Sequence, residues 1–76
     1  MVNSAMLENV IRESGIKRSA IMKYIGIKSY STFRDKIHNR TEFTASEIQK
    51  LCEILHLDKD QREAIFFAPN SELYSA

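Results

Sequence analysis

The chain has little punctuation: one cysteine, one proline and two glycines in 76 residues. A lone Cys52 cannot form an internal disulfide, which fits a reducing cytoplasm. Its place among Ile48, Leu51 and Leu55 reads as a small buried apolar residue rather than a reactive thiol. No apolar run approaches the ~18 residues that span a bilayer, and no charged-then-apolar start resembles an export signal. The expectation is a cytoplasmic protein with no membrane partner. Also missing are a Gly-rich phosphate loop, a nucleophile patterned with a base, and a metal-ligand spacing. His38 and His56 have no Cys, Asp or Glu placed to share a metal, so both read as surface or edge residues. No enzyme, cofactor or metal is expected.

What is present is helical periodicity without a strand signal. Seventy-six residues make one small domain, which must fold as a compact bundle. Ser4 is expected to cap a first helix carrying Leu7, Val10 and Ile11 inward, with Met6 beside them and Gly15 at its end. A second helix starts near Lys17, a poor N-cap, and places Ile21 and Ile25 four residues apart before Gly26. Ser29 suits the N-cap of a third, roughly Tyr30 to His38, with Phe33 and Ile37 inward. Thr44 opens a capping box with Glu47, ahead of Ile48, Leu51, Cys52 and Leu55, and Phe43 can staple onto Ile48 or its neighbours. Asp58 opens a similar box with Gln61, before Ala64, Ile65, Phe66 and Phe67. Pro69 then blocks continuation. The fold expected is all-α, about five short helices over residues 1–69, with 70–76 a frayed, flexible tail.

The net charge of +1 conceals a sharp division. Residues 1–16 carry Arg12 against Glu8 and Glu13, for −1, and residues 41–76 carry three bases against seven acids, for −4. Residues 17–40 carry Lys17, Arg18, Lys23, Lys28, Arg34, Lys36 and Arg40 against Asp35 alone, for +6. All the surplus positive charge therefore lies in the second and third helices and their turn. Two short helices joined by a Gly-centred turn form a helix-turn-helix, whose second helix enters the DNA major groove. With Phe33 and Ile37 inward, the opposite face carries Tyr30, Ser31, Arg34 and Asp35, the expected base readers, with a phosphate contact the alternative for Arg34 and the core edge the alternative for Tyr30. Lys28, Lys36 and Arg40 suit DNA phosphates, since lysine acts as a point charge.

The order I-x-x-x-I-G-I-x-S-x-S-T-F, followed by N-R-T-E-F-T-A-S-E-I-Q-K-L-C-E-I-L-H-L, resembles the Cro-like, xenobiotic-response-element (XRE) family of helix-turn-helix regulators. The resemblance is to its phage-borne branch, with a lambda-repressor-like DNA-binding domain, and covers roughly Leu7 to Phe67. The family usually has alanine where Met22 stands, a turn one residue shorter, and often glycine at the position of Asn39. The resemblance implies that Arg18, at the start of the second helix, contacts a phosphate, where free amides also favour an anion. It implies an operator-binding transcriptional regulator such as a repressor. The alternative is a small helical interaction module that modulates another repressor protein without reading DNA itself.

Ile65, Phe66 and Phe67 are three large apolar residues in succession, more than one helix face can bury. One of them should point outward. The expectation is a homodimer through the C-terminal helix, with Phe66 or Phe67 at a two-fold seam and the other in the monomer core.

Overall fold

Helix starts follow local chemistry in this chain. The computed structural model describes residues 1–67, which form α1 (Ser4–Ser14), α2 (Arg18–Ile25), α3 (Tyr30–Ile37), α4 (Ala45–Ile54) and α5 (Lys59–Phe66). No strand occurs among the described residues. The Pro69 stop and the 70–76 tail lie outside them. Thr44 with Glu47 and Asp58 with Gln61 form complete capping boxes, as their spacing predicts. Ser29 caps α3 more loosely, its Oγ accepting the Thr32 amide at 3.5 Å.

One cap differs from expectation. Asn3, not Ser4, caps α1, its Oδ1 accepting the Met6 amide at 3.1 Å. Ser4 is the first helical residue, and its hydroxyl donates to the Ile37 carbonyl at 2.6 Å. That bond satisfies a carbonyl that the end of α3 would otherwise leave without a partner. The choice between two good capping residues was therefore made by a tertiary contact.

α1 to α4 are each followed by a residue in the left-handed region: Gly15, Gly26, Asn39 and His56. At Gly26 (φ 88) the reversal lets the Gly26 and Ile27 amides both return to the Met22 carbonyl at 2.9 Å. Asn39 (φ 65) plays the same part after α3, with the Arg40 amide reaching the Asp35 carbonyl at 2.8 Å. Asparagine tolerates this conformation better than most residues with a Cβ.

The buried faces meet in one core, built on Leu7, Ile21, Phe33, Ile37, Leu51 and Ile65, all essentially inaccessible. Phe43 joins it edge-on between Phe33 and Phe66, with ring centroids 6.4 Å and 6.0 Å apart. Such pairs add about 0.5–1.5 kcal/mol each beyond burial. Ile48, four residues into α4, is partly buried against this core. α2 packs on α4, while α1 packs on both α3 and α5. This arrangement buries Phe33 and Ile37 and turns Tyr30, Ser31, Thr32 and Arg34 of α3 to solvent.

Candidate nucleic-acid interface

The outward face of α3 presents Tyr30, Ser31, Thr32 and Arg34, all exposed. Tyr30 keeps 52% of its surface open, so it belongs to this face and not to the core edge. Ser31 Oγ lies 2.9 Å from Ser29 Oγ, which holds both hydroxyls at the start of the helix. Asp35 is less available, because its carboxylate pairs with Arg40 at 3.2 Å. Lys28 stands exposed in the turn immediately before α3.

Ion pairing divides the seven cations of residues 17–40 into two groups. Arg18, Lys36 and Arg40 each have a carboxylate partner, whereas Lys17, Lys23, Lys28 and Arg34 have none among the described residues. All four of the latter are exposed. Lys23 and Lys17 enter the group through the structure, since only the charge count pointed to them in the sequence. Arg40 is paired, yet its side chain stays 60% exposed.

Lys36 occupies a different position from the one its charge suggests. Its Nζ donates to Glu47 Oε1 at 2.7 Å, lies 6.0 Å from the Phe43 ring centre, and leaves the side chain only 13% exposed. Lys36 therefore joins α3 to the start of α4. Burial pushes the Glu47 carboxyl up, but the Lys36 ammonium and the Thr44 bonds outweigh it and hold it below its ordinary range. Glu47 thus serves the capping box and the interhelical pair together.

Arg18 is the first residue of α2, after an N-cap, Lys17, whose side chain caps nothing. Its guanidinium bonds Glu8 of α1, and the other Glu8 oxygen lies 3.6 Å from His38 Nε2 at the end of α3. An open cleft of about 490 Å³ adjoins this cluster, lined by Glu8, Ile11, Arg12, Gly15, Ile16 and Arg18. On the far side of α2 the Tyr24 hydroxyl donates to Glu53 of α4 at 3.1 Å, which raises its pKa.

The three apolar residues at the end of α5, the last of them its C-cap Phe67, separate. Ile65 and Phe66 are buried within the chain, so neither is placed at a seam, while Phe67 is 58% exposed. Phe67 borders a shallow groove with Ala45, Ile48, Gln49 and Arg62. Cys52 is half-buried against the core, and burial pushes its thiol up, away from reactivity. No cluster of three metal-ligating side chains occurs among the described residues, and no helix there is long and apolar enough to cross a membrane. No family model, curated protein or solved structure matches the chain.

Proposed function

We propose that the protein is a sequence-specific DNA-binding transcriptional regulator of the Cro-like, XRE type, reading operator DNA with α3 in the major groove. The observation that carries this reading is that the +6 segment of residues 17–40 keeps four exposed cations without a carboxylate partner among the described residues. Lys17, Lys23, Lys28 and Arg34 all belong to α2, its N-cap, the turn and α3, where a helix-turn-helix meets DNA. Tyr30, Ser31 and Arg34 read base edges, with Asp35 limited by its bond to Arg40. Lys28, Arg40 and Arg18 take phosphates, and Lys36 chiefly holds α4.

Phosphate neutralisation releases counterions, so affinity falls with salt by about 0.9 log unit per contact. If Lys28, Arg40 and Arg18 each meet a phosphate, the log–log slope is about 2–3 per chain. Titration of random and operator-enriched duplex across a salt series tests this directly. Absence of duplex binding even at low salt overturns it.

A single recognition helix covers few base pairs, and pairing through α5 would place two such helices on successive half-sites. Phe67, the C-cap of α5, is the exposed apolar residue available for that homodimer. The second reading, an interaction module acting on another repressor, is favoured by one observation. Glu8 and Glu47 reach into the basic segment from α1 and α4 and neutralise Arg18 and Lys36. Under that reading the same titration shows no duplex binding.

A further inference from the structure

We propose that Glu8 is an internal stand-in for a DNA phosphate, occupying Arg18 in the free protein and holding down its affinity for DNA. This rests on the DNA-binding reading above and adds a residue that limits it. Glu8 lies on α1, outside the helix-turn-helix, yet its carboxylate faces the start of α2 and the end of α3 together, through Arg18 and His38. The start of α2 lacks an acceptor of its own. The Lys17 side chain caps nothing, and the first amides bonded within the helix are those of Ala20 and Ile21, to the Lys17 carbonyl. Positive charge from the guanidinium and from the helix terminus therefore converges where the Glu8 carboxylate sits. Arg12, which lines the same cleft, donates its Nη2 to Asn9 Oδ1 at 2.6 Å.

The pair is built to be exchanged. About a third of each side chain is exposed (35% for Arg18 and 32% for Glu8), and so open an ion pair adds little to stability. Glu8 engages Nη2 alone, while the planar fork offers five N–H donors, so a phosphate can approach before the carboxylate leaves. Once it arrives, the two anions repel. Arg18 is then a cation whose charge is already neutralised in the free state, and its phosphate contact releases less counterion than a lone lysine's.

The test compares the full chain, Glu8→Gln, Arg18→Ala and the double variant on a random-sequence duplex through a salt series. The expected result for Glu8→Gln is binding roughly five- to tenfold tighter at about 0.1 M salt, with a slope steeper by about one unit. In the Arg18→Ala background the same exchange should change neither quantity. Glu8→Ala must behave like Glu8→Gln, which covers a folding defect peculiar to either. Unchanged or weaker binding by both Glu8 variants overturns the proposal and marks the cluster as a scaffold tie. An equal gain with and without Arg18 also overturns it, because Glu8 then acts by bulk charge. If the unaltered chain binds no duplex, the DNA-binding reading falls and this inference falls with it.

Discussion

The side chain of Asn39 clamps the backbone of Val2 from both sides. Its Oδ1 accepts the Val2 amide at 2.7 Å and its Nδ2 donates to the Val2 carbonyl at 2.9 Å. The residue that ends α3 therefore also holds the N-terminal segment, which continues into the bond from the Asn3 amide to the Ile65 carbonyl at 2.7 Å. A glycine here would take the positive φ but make neither side-chain bond.

Asn39→Gly should accordingly destabilise the chain by about 1 kcal/mol, since two modest hydrogen bonds outweigh the relief of a left-handed φ. Asn39→Ala, which keeps the strain and loses the bonds, should cost about 2 kcal/mol. Urea unfolding midpoints rank the three. A glycine variant as stable as the parent would show that the clamp contributes nothing.

Phe66 and Phe67 should behave as opposites despite being neighbours. Phe66→Ala removes a core ring and should cost about 3–5 kcal/mol. Phe67→Ala should stay within about 0.5 kcal/mol of the parent, as exposed substitutions do. If the homodimer uses α5, sedimentation of Phe67→Ala at micromolar concentration shows a folded monomer where the parent associates. A parent that stays monomeric alone and on palindromic duplex removes the dimer.

Three cations on or beside α3 should separate in DNA binding. Arg34→Ala should cost about 1–3 kcal/mol on the preferred site and much less on random duplex, if the guanidinium reads a base. Lys28→Ala should weaken both alike and lower the salt slope by about one unit. Lys36→Ala should leave that slope unchanged and reduce stability instead. A lowered slope in Lys36→Ala would return that residue to the interface.

Acid should weaken the junction of α3 and α4 in a defined direction. Glu47 holds its proton less tightly folded than unfolded, so its contribution is complete above its unfolded pKa. That contribution is lost as pH falls through the lowered folded value, and nothing more is lost below it. Unfolding midpoints measured from neutral pH downward should therefore decline less steeply in Glu47→Gln, across that window, than in the parent. Parallel curves for the two proteins would exclude Glu47 as a source of acid sensitivity.

The sequence by itself determined the elements, because the interactions that start and stop helices span only a few residues. The Thr44–Glu47 and Asp58–Gln61 boxes, the reversals at Gly15 and Gly26, and the inward pairs Ile21 with Ile25 and Phe33 with Ile37 are all local patterns. The same locality made the basic segment visible as a segment.

Tertiary structure alone decided which members of each group remain available. Asn3 and Ser4 cap equally well in isolation, and the Ile37 carbonyl, 33 residues from Ser4, assigned them different tasks. Arg18 and Lys36 look like Lys28 in the sequence, yet carboxylates on α1 and α4 occupy the first two and leave the third alone. Ile65 and Phe66 close α5 facing inward, while Phe67, its C-cap at φ −128, leaves the helical path and turns outward. Which residues face inward depends on how α5 is rotated against α1, and that rotation is set by packing between segments some sixty residues apart, which no local pattern records.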